Sequence, residues 1–196
     1  MRRMFLLLAA GLLSLIMAMG GTLAISSATA APSGYTSPCY GSRGWTTGAE
    51  NSLTMSSDLL TGFRAGRHAT CDRLVFVLSD DDKIGYHAAY GKTIMPNGKR
   101  MQVDGPVDFN LVIRAWPKGW DTVTTKDDFA VKPGTVIYSS SNPKGLEVVK
   151  QIKSAGAFEG ETAFAVGLRV KTEWRLFDDV VLADGSRLVI VEFDHD

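Results

Sequence analysis

Ala163-Phe164-Ala165-Val166-Gly167-Leu168-Arg169-Val170-Lys171-Thr172-Glu173-Trp174-Arg175-Leu176 is the stretch on which the fold turns. Its even positions are apolar apart from Thr172, and its odd positions are small or charged. Side chains of a strand alternate between two faces, so the stretch reads as one long strand, or two continuous strands with a bend, with a greasy side and a wet side. Wound as a helix, the same residues would scatter their charges all round. Such a strand needs apolar partners, and residues 187–193 and 73–78 supply them. The expected fold is all-β, a two-sheet antiparallel β-sandwich with an extended N-terminal arm.

Further along the chain the same pattern recurs in shorter pieces. Leu74-Val75-Phe76-Val77-Leu78 is apolar on both faces, as a central strand is, and Ser79-Asp80-Asp81-Asp82 ends it in a polar turn. Strands are expected around Tyr86 to Tyr90, at Phe109-Leu111-Ile113, at 135–138 and in a closing hairpin around Asp184-Gly185. Residues 148–157 are compatible with a helical face, yet the surrounding glycines and β-prone neighbours favour a strand. Residues 61–72, with Gly62, Gly66 and several charges, read as a loop feeding the central strand, and 121–133 as a long loop. Regular short strands with turns between them mark a sandwich or barrel.

The N-terminus stands apart. Met1-Arg2-Arg3 is basic, residues 5–25 are almost wholly apolar, and Ala28-Thr29-Ala30 has the small-x-small pattern of a signal-peptidase site. The expected organisation is a signal peptide over 1–30, an extended arm over 31–60 and the sandwich domain over 61–196. Left uncleaved, the apolar run is long enough to span a bilayer, and it is the only membrane contact the reading implies. Without Arg2 and Arg3 the remainder carries 19 basic and 21 acidic side chains, a net charge of −2. That balance lacks the basic signature of nucleic-acid binding. The expected location is secreted, at the cell wall or outside it. In an exported chain Cys39 and Cys71 are expected to pair, closing a loop of roughly 30 residues worth about 3–4 kcal/mol in chain-entropy arithmetic.

No catalytic constellation is legible. His68, His87 and His195 have no metal-ligand spacing, and neither cysteine has a CxxC partner. Asp80-Asp81-Asp82 and Asp127-Asp128 carry oxygens suited to calcium but lack the spacing of a calcium hand, so they read as solvated turns. No cofactor or metal is expected. Asp178-Asp179 and Glu159-Gly160-Glu161 offer paired carboxylates, but neighbours in a strand point to opposite faces, which does not suit glycoside hydrolysis. Binding chemistry is better represented. Trp116 and Trp120 flank a Pro-Lys-Gly loop, where they either stack on sugar rings or cap the core. Arg169, Lys171 and Arg175 share the polar face of the long strand, either as a cationic stripe toward carboxylates and phosphates or as solvated surface.

Gly66-Arg67-His68, Asp72-Arg73-Leu74-Val75-Phe76, Gly85-Tyr86 with Tyr90, Phe158-Glu159-Gly160, Gly167-Leu168 and Arg187-Leu188-Val189-Ile190, in this order and spacing, resemble the AMIN-like domain of secreted bacterial envelope proteins. The resemblance covers about 61–193. It implies a non-catalytic β-sandwich that binds peptidoglycan or a related wall polymer. Two departures stand out: Asp184-Gly185-Ser186 replaces the proline that commonly precedes the closing strand, and no amidase domain is attached. Arg67, Asp72 and Arg73 lie on the most similar stretch, as ligand contacts or as an ion-pair cluster fixing the loop before the central strand. The alternatives are a β-barrel carrier of a small apolar ligand and an unrecognised hydrolase. Oligomeric state is not legible.

Overall fold

The computed structural model describes residues 39, 44–119, 132–140 and 145–196. Eleven strands are found among them: β1 (Glu50–Ser52), β2 (Leu59–Arg67), β3 (Cys71–Leu78), β4 (Tyr86–Tyr90), β5 (Val107–Ile113), β6 (Trp116–Pro117), β7 (Val136–Ser139), β8 (Val149–Phe158), β9 (Glu161–Leu168), β10 (Trp174–Val181) and β11 (Arg187–Asp194). They form two sheets, ordered β1-β4-β5-β9-β8-β7 and β10-β11-β3-β2-β6. Every pairing is antiparallel except β2 with the two-residue β6. The sheets do not close into a barrel, so a barrel carrier is excluded and the sandwich is the architecture.

The stretch 163–176 is two strands, and the bend between them changes sheet. Phe164, Val166 and Leu168 lie on β9 in the six-stranded sheet, whereas Trp174 and Leu176 lie on β10 in the five-stranded one, and all five face the shared interior. Residues 169–173 cross from one sheet to the other, and Val170 is exposed there. The crossing is locked by Tyr90, whose hydroxyl donates to Thr172 O and accepts the Thr172 N–H at 3.1 Å. Burial pushes the Tyr90 phenol up, with its bond to Thr172 opposing. The core between the sheets is a chain of tilted and edge-on rings: Phe76 meets Phe164 at 4.7 Å, and Phe109 meets Trp174 and Phe193 at 5.0 Å each. Edge-to-face arrangements are what ring quadrupoles favour.

The expected wet side is wet only at the crossing, where Arg169, Lys171 and Glu173 are exposed; on β9 and β10 it is covered. Ala163 and Ala165 pack beneath Met95, Met101 and Val103. A Cβ on Gly167 would lie 2.0 Å from Asp104 O, so the small residues at these odd positions are there to let a loop lie flat on the sheet. Arg175, at the far end of the odd series, is only 2% exposed. Its Nε donates to Glu192 Oε2 at 2.6 Å, its guanidinium stacks 4.2 Å from the Trp45 ring, and Arg73 occupies the other Glu192 oxygen, Nε to Oε1 at 2.7 Å.

Two further segments differ from expectation. Of residues 61–72, expected as loop, 61–67 belong to β2: its glycines and charges lie on a strand bulged between Leu60 and Gly62 rather than breaking it. The expected arm contributes to the sandwich, since β1 pairs with β4 and Thr46 bridges to Trp174. Cys39 and Cys71 are bonded, with Cα atoms 5.7 Å apart, which ties the start of β3 to the N-terminal segment. Strand β8 occupies most of the ambiguous 148–157, and 182–186 turn between β10 and β11 as expected. The expected signal peptide, Asp127-Asp128 and most of the loop over 121–133 lie outside the described residues.

Candidate functional site

Arg67, Asp72 and Arg73 do not form one cluster, because successive residues of β3 point to opposite faces. Asp72 points inward at one end of the sandwich. Its carboxylate accepts the N–H groups of Glu147 (2.9 Å), Val148 (2.6 Å) and Val149 (2.9 Å), and His195 Nε2 lies 3.0 Å away. Arg67 pairs not with Asp72 but with Glu147, which also has Arg169 Nη2 at 4.0 Å and His195 Nδ1 at 3.5 Å. These contacts staple the start of β8 and the C-terminal residues to the β2–β3 turn. Arg73 faces outward to Glu192. Burial holds its guanidinium below the ordinary range, with Glu192 opposing and Arg175 adding to the effect.

The cationic stripe is likewise divided. Arg169 and Lys171 are exposed on the crossing segment, with Lys171 5.0 Å from the Tyr90 ring centre, while Arg175 is buried on the outer face of the other sheet and does not reach solvent. Trp120 lies outside the described residues. Trp116 is half-buried on β6, at the edge of the five-stranded sheet and at the opposite end from Asp72.

That opposite end carries part of the exposed apolar surface. Phe158 is 59% exposed at the close of β8, and Met55 is 52% exposed on the segment before β2. The β8–β9 hairpin turns through Glu159 (φ 49°) and Gly160 (φ 83°), the pair of positive φ values that marks a type I′ turn. A Cβ on Gly160 would lie 2.7 Å from Met55 Cε and 3.7 Å from Trp116 Nε1, so the glycine lets Met55 and the indole close against the hairpin. Gly160→Ala is expected to cost about 1–2 kcal/mol from strain at positive φ and from displacing Met55, read as a lower denaturation midpoint. Arg114 borders this shelf, pairing with Glu161 and donating from Nε to Ser52 O at 2.9 Å.

At the same end a cleft of about 250 Å³ is lined by Ser52, Thr54, Lys83, Ile84, Asp178, Asp179 and Arg187. Strand alternation should have separated Asp178 from Asp179. A bulge between Phe177 and Val180 cancels it and sets both residues on the cleft. Arg187 holds the bulge, donating from Nη1 to Asp178 O at 2.7 Å and from Nε to Asp81 O at 3.1 Å. Sequence alternation had argued against this juxtaposition, and no local signal in Phe177-Asp178-Asp179-Val180 announces the bulge.

Met55 and Trp116 at Gly160, Phe158 at the close of β8, the Arg114–Glu161 pair and the charged cleft give this end the mixed aromatic and polar character of a ligand-facing surface. No curated protein and no solved structure matches the chain. The family model of the AMIN-like domain matches residues 58–195, from the residue before β2 to the residue after β11, and the chain belongs to the AMIN-like domain family.

Proposed function

We propose that this chain is an exported, non-catalytic binding module of the cell envelope that lays Met55, Trp116 and Phe158 against the sugar rings of peptidoglycan or a related wall polymer. AMIN-like domains are associated with the cell envelope and are in general binding domains rather than enzymes. The observation that carries the reading is an aromatic ring left 59% exposed at the close of β8, two residues before the glycine on which Met55 and Trp116 close. Exposed rings backed by sheet offer flat apolar area at little entropic cost, and Arg114, Glu161 and Lys118 supply hydrogen bonds round it.

Cosedimentation with insoluble peptidoglycan at low salt tests it. The wild-type protein should pellet with the polymer. Phe158→Ala should bind roughly 2- to 10-fold more weakly, the loss of about 0.5–1.5 kcal/mol of ring contact, with an unchanged unfolding midpoint because the ring is exposed. Wild-type protein that stays in the supernatant would overturn the proposal.

A further inference from the structure

The lining of the cleft that holds Asp178 and Asp179 is fixed by close packing. Ser52 and Thr54 lie hard against Gly85, where a Cβ would come within 2.1 Å of Thr54 O and 2.6 Å of Ser52 O. Arg114 braces the same segment, donating from Nε to Ser52 O at 2.9 Å and accepting the Ser56 N–H at its carbonyl oxygen, 3.1 Å away. Ile84, almost wholly buried, supplies the apolar part of the lining. The bulge in β10 brings Asp178 and Asp179 onto this one cleft, and bulges are over-represented beside functional sites, where they re-aim side chains. Arg187 also lines the cleft, but its guanidinium is spent on main-chain carbonyls: Nε and Nη2 donate to Asp81 O and Nη1 to Asp178 O, so it braces the bulge.

A volume of about 250 Å³ is below the range of roughly 300–1,000 Å³ that holds drug-sized ligands, so the cleft has room for one amino-acid side chain and not for a disaccharide. Two acidic side chains together, with a seryl and a threonyl hydroxyl on the same lining, suit an ammonium group, which has three hydrogens to donate and a charge that carboxylates complement. Lys83, exposed on the same cleft, adds a cation suited to a carboxylate. We infer that the cleft takes a free primary amine carried on a short peptide, with the ammonium received by Asp178 and Asp179, its alkyl stem on Ile84 and the peptide's carboxylate toward Lys83. The inference rests on the reading of this end as the glycan-facing surface: Thr54 of the cleft runs directly into Met55, so a glycan on Met55 and Trp116 has its peptide stems next to the cleft. An amine acylated in a cross-link has lost its charge and two of its donors. The cleft therefore distinguishes free stems from cross-linked ones.

Cosedimentation at low salt with two insoluble polymers, peptidoglycan with free stem amines and the same polymer with those amines acetylated, tests the site. The wild-type protein should bind the free-amine polymer roughly 3- to 10-fold more tightly than the acetylated one, the effect of one charge-assisted contact at a partly exposed site. Asp179→Asn, at an exposed position, should fold as the wild type does and bind both polymers alike, at the level of the acetylated one. Phe158→Ala should bind both more weakly and still discriminate between them. A soluble, sugar-free stem peptide with a free amine should compete for the wild-type protein, and its acetylated form should not, which separates a peptide amine from the amine of a deacetylated sugar. Equal binding of the two polymers by the wild type, an Asp179→Asn protein that still discriminates, or a free-amine peptide that does not compete would overturn the inference and leave the glycan reading standing. Wild-type protein that pellets with neither polymer would overturn that reading and the inference with it.

Discussion

Glu192→Ala is expected to lower the unfolding free energy by about 3–5 kcal/mol, the cost of leaving buried charge without its partner. Glu192 is fully buried and is held from two sides, by Arg73 at Oε1 and Arg175 at Oε2, with side-chain exposures of 9% and 3% for the two arginines. Removing the carboxylate leaves two guanidinium groups side by side on the outer face of the five-stranded sheet, one already stacked on Trp45. Stabilities of single domains are about 5–15 kcal/mol, so this one change takes a large share. Replacing all three residues together by apolar ones of similar volume should cost far less, because no uncompensated charge remains. Chemical denaturation of the single and triple variants checks both halves. A single variant within about 1 kcal/mol of wild type would show that the triad is solvated and not structural.

Asp72→Ala is the second large effect, expected at about 3–4 kcal/mol. The carboxylate accepts three consecutive backbone N–H groups at the start of β8, and Val148 and Val149 are fully buried there. Water cannot replace the lost acceptor at these two positions, so the desolvation cost of each orphaned donor is felt nearly in full, about 1–3 kcal/mol apiece before relaxation. Asp72→Asn keeps one acceptor oxygen and should lose less than half as much. Amide hydrogen exchange gives the local readout: the Val148 and Val149 amides should exchange much faster in Asp72→Ala, while the Phe76 and Val189 amides on β3 and β11 follow only the global loss of stability. Unchanged protection at 148 and 149 would contradict the assignment of Asp72 as the staple of β8.

Periodicity carried the fold a long way. Phe164, Val166, Leu168, Trp174 and Leu176 all face the shared interior, as the two-residue alternation required. What alternation cannot express is a change of sheet, because the side chains on either side of 169–173 continue to point inward while the backbone moves to another layer. It also treats small residues as solvent-facing, whereas Ala163, Ala165 and Gly167 are small because a loop covers them. Arg175 looked like surface by its charge alone. Its partners Glu192 and Arg73 arrive from β11 and β3, distant in the chain, so nothing near Arg175 could mark it as buried. The same limit hid the cleft, where a bulge sets Asp178 and Asp179 together. Of the expected binding residues, Trp116 lies on the exposed end and Arg169 and Lys171 at the crossing. They are parts of different surfaces, which a linear reading cannot separate.

Amide and indole chemical-shift mapping during titration with soluble peptidoglycan fragments tests the central claim most directly, since it reports where on the molecule a wall glycan sits. The account predicts perturbations concentrated at Phe158, Gly160 and Glu161, at Lys118, and at the Trp116 indole N–H. Perturbations centred instead on Arg67, Glu147, Arg169 and Lys171, or no perturbation at saturating fragment, would contradict it.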